Sequence, residues 1–482
     1  MNPLFPLDEY VPDGEPHVFG NRVYLYGSHD AEGSTRFCIN DYTVWSAPIH
    51  DLTSWTNHGV TFKKSQDPRS KDGKLVDFYA PDCVQGLDGR YYLYYFSAGP
   101  NTAAFGPMSV AVSDKPEGPF EYLSDIKYKD GTPVFKYLTN DPAVLNDNGR
   151  IYLYYGWGLG RDFSNPIFRP IYNFVLHKLC NRSMKEVRTT EKTILACAVV
   201  ELEEDMCTVK SEPKPVLDSK TTAKKNTPLY HHAFYEAPSI RKFGDWYYLI
   251  YSSHENNELA YAMSKYPDHG FEYKGALISN SDLGYKGNSK PKMPAGTIHG
   301  SVEKINSKYY VFYHRCTNDT DYSRQACGEP ITMNEDGTFQ MAEITTQGLG
   351  KPLVAEGEYS AALCCNLYNL KKKDKIWKRT IITAKNGTSY ITRINEGTVI
   401  GYKYFRFDGS VNLSLIIRGG KGVMSVCVDD SLTPIAKTKV DGSSDWKEYS
   451  LRLNDLKGAK PLYLVWSGEQ IEFLKFRFQK ED

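Results

Sequence analysis

Five polar residues recur at nearly one distance from a repeated aromatic motif, and together they have the make-up of an acid–base site. Asp13 lies 11 positions before Tyr24, Asp82 lies 10 before Tyr92, Asp141 lies 11 before Tyr152, Glu236 lies 12 before Tyr248 and His299 lies 11 before Tyr310. A fold that brings equivalent positions together would gather four carboxyl groups and an imidazole. Buried carboxylates are costly unless solvated, paired or metal-bound, so such a cluster points to function rather than packing. Crowded like charges raise at least one pKa, keeping one acid protonated near neutrality while another stays ionised. An acid that protonates a leaving oxygen, opposite a carboxylate that activates water or attacks carbon, is the equipment of glycosidic cleavage.

The elements that would position these residues are legible in the motif itself. It reads Arg22-Val23-Tyr24-Leu25-Tyr26, Arg90-Tyr91-Tyr92-Leu93-Tyr94, Arg150-Ile151-Tyr152-Leu153-Tyr154, Trp246-Tyr247-Tyr248-Leu249-Ile250 and Lys308-Tyr309-Tyr310-Val311-Phe312. Each run is β-branched and aromatic and follows a turn signal such as Leu87-Asp88-Gly89, so each reads as the second strand of a hairpin. The steps between equivalent tyrosines are 68, 60, 96 and 62 residues, a spacing that suits four-stranded propeller blades. The long third step predicts an insertion around 173–225. The innermost strand of a blade lines the central channel, and here that strand precedes the tyrosine motif. Beyond about residue 355 the repeat stops, and short strand-like runs at 398–407, 412–418 and 423–428 carry no helical period. The expected architecture is all-β: a five-bladed β-propeller over 1–354 followed by a β-sandwich of jelly-roll type over 355–482.

Composition narrows the function class. With 482 residues the chain exceeds the roughly 250–300 at which single cores stop growing. Lys+Arg and Asp+Glu are both 58, so no electrostatic footprint for nucleic acid or an anionic membrane is present. The longest apolar run, 194–200, is too short to span a bilayer. The start, Met1 to Asp8, has no basic or apolar leader segment, so a cytoplasmic location is expected. Ten cysteines without a CxxC pair argue for reduced thiols rather than a disulfide framework or a zinc site.

Four segments, Pro12 to Asp30, Tyr79-Ala80-Pro81-Asp82, Asn140-Asp141-Pro142-Ala143-Val144 and Tyr235-Glu236-Ala237-Pro238-Ser239-Ile240-Arg241, resemble glycoside hydrolase family 43 in order and at blade spacing. The resemblance implies a five-bladed propeller that cleaves glycosides with inversion, acting on plant-wall oligosaccharides as a β-xylosidase, an α-L-arabinofuranosidase or, alternatively, a galactosidase. It places the general acid at Glu236 and a carboxylate that tunes it at Asp141. The general base falls on Asp13 by spacing, or on Glu15 if the family's Asp-Pro pair is matched with a two-residue slip. It implies further that His299 lies at the axis, where some members hold a water-mediated calcium, and that Arg324 lies near the sugar. No cofactor is required. Residues 356–482 resemble carbohydrate-binding module family 6, through Gly397 to Phe405 and Glu472 to Phe476, but lack its early acidic calcium ligands.

Plainer readings compete at several positions. Asp82 in Ala-Pro-Asp could equally cap a turn rather than touch substrate. Trp157, in Gly156-Trp157-Gly158 after a strand, reads as an exposed loop residue able to stack on a sugar. His231 and His232 are adjacent, and on a strand they would face opposite ways, which argues against joint ligation. A non-catalytic sugar-binding propeller is the rival from another class; it predicts loss of an axial carboxylate, yet Asp13, Asp141 and Glu236 are all present. The sugar, its linkage and the oligomeric state are not legible in the chain.

Overall fold

Each tyrosine motif forms the second strand of an antiparallel sheet, and its partners follow along the chain. In the computed structural model, which describes residues 1–99, 106–159, 165–189, 193–255, 257–371 and 379–480, the first blade is Glu15–Phe19, Arg22–Tyr26, Tyr42–Pro48 and Thr56–Phe62 (β1–β4). The second is Asp77–Gln85, Tyr91–Ala98, Met108–Ser113 and Glu121–Asp125 (β5–β8). Ala143–Asp147, Arg150–Trp157, Ala196–Leu202 and Lys214–Asp218 (β9–β12) make the third. Phe234–Phe243, Trp246–Ser253, Glu258–Ser264 and Glu272–Ser279 (β13–β16) make the fourth. The fifth has Ser301–Ile305, Lys308–Cys316 and Arg324–Ile331 (β17–β19). The inner strands β1, β5, β9, β13 and β17 touch in that order, and β17 returns to β1, so the ring closes.

The motif explains the closure. Its second tyrosine packs between blades and caps its hydroxyl on the next one: Tyr26 donates to the Pro116 carbonyl, Tyr94 to Met206 and Tyr154 to Pro267. Such a ring buries a large apolar face while its polar tip stays satisfied. Separate apolar clusters fill the successive joints between blades, and the one that joins blade five to blade one draws Phe5 and Val11 from the N-terminal segment. That segment lies along β19, where the Leu4 N–H donates to the Ala326 carbonyl at 2.8 Å.

Two expectations need correction. The insertion in the third blade is shorter and earlier than 173–225. It includes the helices Arg169–Leu179 (α1) and Met184–Thr189 (α2), whereas β11 and β12 are ordinary blade strands. The apolar run at 194–200 is what makes β11 a buried strand. At the other end of the chain the runs 398–407 and 412–418 are one strand, Thr398–Gly419.

That strand belongs to a ten-stranded C-terminal sheet. In chain order its members are Leu353–Val354, Gly357–Ser360, Asn366–Asn369, Ile381–Lys385, Thr388–Ile394, Thr398–Gly419, Gly422–Cys427, Ala436–Val440, Ser443–Gly468 and Ile471–Lys480 (β20–β29). Strands β25 and β28 pair along most of their lengths, with register shifts near 402–405, 409–411 and 417–419 that let them bend. The sheet is bonded to the propeller. The Asn318 N–H donates to the Ile382 carbonyl at 2.8 Å, its side-chain oxygen accepts from Ala384 N–H and the Thr383 hydroxyl, and Asp319 pairs with Arg379 and Arg393 at 3.0 Å each. Among the described residues no helix is long and apolar enough to cross a membrane.

Candidate active site

Strand register sorts the axial residues into tiers. Glu15 pairs with Tyr26, Asp82 with Tyr94, Ala143 with Tyr154, Ser239 with Ile250 and Ser301 with Phe312, and these partners are equivalent positions of the repeat. Those five residues form one rung. Two positions earlier stand Asp13, Ala80, Asp141, Ala237 and His299. In the first four blades that earlier residue adopts a left-handed backbone, with φ of 58°, 34°, 48° and 61°. Such a conformation is costly for residues other than glycine and concentrates at functional sites. In blade four it bulges the strand, and Glu236 stands just before the bulge.

The upper rung holds the candidate catalytic groups. Asp13 is 4 % exposed. Its Oδ1 accepts from Arg324 Nη1 at 2.8 Å and lies 3.5 Å from His314 Nδ1 and 3.7 Å from His299 Nδ1. Burial pushes its pKa up, but nearby positive charge, Arg324 first and protonated His299 with it, outweighs burial and holds it below the usual carboxylate value. Arg324 is itself clamped by both oxygens of Asp30 and lies over the Phe37 ring. Burial drives the His314 pKa down to about 3, so its neutral Nδ1 accepts the Asp13 backbone N–H at 3.2 Å.

Glu236 is biased the opposite way. Burial first, then the Asp141 carboxylate, lift its pKa to about 8. Trp157 Nε1 donates to its Oε2 at 3.1 Å. Asp141 is raised to about 6, chiefly by burial, while its Oδ2 accepts from Ala237 N–H at 3.0 Å and Asn140 Nδ2 at 2.8 Å. Glu236 and Trp157 keep partial exposure, so the axis opens to solvent on this side. Near pH 7 the surroundings therefore keep one carboxyl ionised and another protonated.

Glu15 and Asp82, expected near the sugar, lie one rung deeper. Asp82 is fully buried; its Oδ1 contacts His17 Nε2 at 2.6 Å and its Oδ2 accepts from Val144 N–H at 2.7 Å. Glu15 is 1 % exposed and bonds Arg241 and Ser239. His299 sits between the rungs, with Nε2 3.6 Å from Glu15 Oε1. Burial would lower its pKa, but Glu15, Asp13 and Asp141 raise it to about 9. Trp157 ends β10 rather than lying in an exposed loop, and His231 and His232 end a short helix, with His232 bonded to Glu258. Sequence reasoning missed Asp30, His314 and Arg241. A signal existed for two of them: His314 and Arg241 are polar or charged interruptions of buried strands, β18 and β13.

Calcium fits this axis poorly. Glu15, His17 and Asp82 bring three donor atoms within 4.8 Å of one another. Calcium takes six to eight oxygen ligands, yet both Asp82 oxygens and one Glu15 oxygen are already engaged. Among the described residues there, Glu15 Oε1, His299 Nε2 and Arg241 Nε lack a hydrogen-bond partner; one of the three is an oxygen, and the Arg241 guanidinium already stands beside it.

Fold and site together define a glycoside hydrolase. Residues 2–339 match Glycosyl hydrolases family 43, and the chain belongs to that family. It is 36 % identical to a xylosidase/arabinosidase of Thermoclostridium stercorarium over 98 % of either chain. It is 30 % identical to xylosidase/arabinosidase 43A of Humicola insolens over 70 % of this chain and 98 % of that one. Among solved structures, the GH43_1 enzyme of Xanthomonas citri complexed with xylose is 26 % identical over 70 % of this chain and 92 % of that one, with a TM-score of 0.53.

Proposed function

We propose that the enzyme releases β-D-xylosyl or α-L-arabinofuranosyl units from the ends of plant-wall oligosaccharides with inversion, using Asp13 as base and Glu236 as acid. The observation that carries this reading is the opposite bias on those two carboxyls. Asp13 is kept ionised chiefly by Arg324, with protonated His299 beside it, and Glu236 is kept protonated by burial and by Asp141. The ionised Asp13 takes a proton from water as that water attacks the anomeric carbon. Glu236 gives its proton to the departing oxygen, and a single displacement inverts the centre. Arg324, His299 and His314 all approach Oδ1 of Asp13, so Oδ2 is the oxygen we assign to the water. Asp141 acts through Glu236 by raising its pKa. A pentose substrate is supported by the end-to-end similarity to a xylosidase/arabinosidase and by the likeness to an enzyme solved with xylose.

The test is a panel of aryl β-D-xyloside, α-L-arabinofuranoside, β-D-galactoside and β-D-galactofuranoside, with Glu236→Gln beside the parent. Turnover of a pentoside is expected, with kcat falling by roughly 10²–10⁴ in Glu236→Gln and less for activated leaving groups. Proton NMR of the first product formed should show the inverted anomer. Turnover confined to a galactoside would replace the substrate, and a retained anomer would remove Asp13 from the role of base.

A further inference from the structure

We propose that Arg241 is the resident cation of the propeller axis, standing where a metal ion would otherwise neutralise the buried carboxylates, and that through Glu15 it positions His299 against the base. The side chain lies on a third rung, opposite Tyr248, and is 5 % exposed. Its Nη2 donates to Glu15 Oε2 at 2.9 Å and to the Pro16 carbonyl at 2.8 Å. Its Nη1 donates to the Ile240 carbonyl at 2.8 Å, and its Nε lies 3.3 Å from Glu303 Oε2. One guanidinium thus ties blade four to blades one and five.

The electrostatics follow from the rungs. Asp82 of blade two also falls within reach of its field, so three carboxyl groups share this one fixed charge. A dication placed among Glu15, His17 and Asp82 would meet that charge in a poorly screened interior. It would also have to take Asp82 from His17, which holds it at 2.6 Å. A planar fork with five donors satisfies several acceptors at once and cannot lose its proton, which suits a permanent buried cation better than a bare ion with too few free ligands.

The link to the upper rung runs through Glu15. One Glu15 oxygen is held by Arg241 and the Ser239 hydroxyl, and the other faces His299 Nε2. The opposite ring nitrogen, Nδ1, faces Asp13. Arg241 is therefore a positioning residue, separated from the base by two residues, Glu15 and His299.

Purified protein should carry no stoichiometric calcium by elemental analysis, and its Tm should be the same in calcium and in chelator. Arg241→Met should lower kcat on an aryl glycoside by about 10²-fold, the loss that a roughly 1 Å misplacement of a reacting group produces, while KM changes little. Arg241→Lys, which keeps the charge without the fork, should recover part of kcat. In the Met variant calcium should raise Tm, because three carboxyl groups have lost their counter-charge. Stoichiometric calcium in the parent, or a parent Tm that falls in chelator, overturns the proposal without any variant being needed. A Met variant with unchanged kcat overturns the positioning role. The loss in kcat rests on Asp13 being the base whereas the metal content does not, so a failure of one is distinguishable from a failure of the other.

Discussion

Trp157 and Asp141 pull the Glu236 proton in opposite directions, and each can be removed alone. The indole N–H stabilises the Glu236 carboxylate, while the neighbouring Asp141 charge destabilises it. The acid must be protonated to work, so kcat/KM should be sustained below about pH 8 and lost as pH rises through it. Trp157→Phe keeps a ring but removes the donor, and its alkaline limb should move to higher pH. Asp141→Asn removes the like charge, so Glu236 ionises earlier and the alkaline limb should move to lower pH. A pH profile of kcat/KM for both variants checks this; shifts of the same sign would break the assignment. The acid limb belongs to the base. Because Asp13 is held below its usual value, activity should persist on the acid side until that carboxylate takes a proton.

At the level of strands, the tyrosine repeat was readable because each copy pairs an aromatic run with a turn, and local chemistry dictates both. Pairing register was not readable by counting back from the tyrosine. The count put Asp82 level with Asp13, but Tyr92 pairs with Val84, eight residues back, whereas Tyr24 pairs with His17, seven back; the longer turn sets Asp82 level with Glu15 instead. The aligned dipeptides Ala80-Pro81, Asp141-Pro142 and Ala237-Pro238 mark equivalent positions and would have given the true register. The clamp on Arg324 was less accessible still: Asp30 and Arg324 are 294 positions apart, and only closure of the ring joins them. Gly300 shows how tightly the inner strand is held. A Cβ there would lie 1.9 Å from the Phe312 carbonyl oxygen, on the strand that β17 pairs with. Gly300→Ala should push β17 outward, cost about 1–3 kcal/mol by chemical denaturation, and displace His299, with kcat falling more than KM rises.

Across the whole molecule, the C-terminal sheet and the propeller share one continuous apolar cluster, which includes Tyr313 and Ile344 on one side and Leu363 and Tyr402 on the other. The hairpin of β23 and β24 also reaches the catalytic end, where Gly387 N–H donates to Glu32, two residues past Asp30. Asn318→Ala removes a side-chain oxygen that accepts two bonds from that hairpin, and the loss should be roughly 1–3 kcal/mol. With a shared core, denaturation should remain a single transition in calorimetry, shifted to lower temperature; two separated transitions would show that the parts unfold independently. The closed ring has one further consequence, in the time order of synthesis. Asp13 emerges from the ribosome in the first blade, but the guanidinium that keeps it ionised follows 311 residues later. A nascent chain with four finished blades would hold Asp13, Asp141 and Glu236 without Arg324, His299 or His314, so turnover would begin only after the fifth blade has been made. Activity on the ribosome would thus report that the last blade has docked against the first.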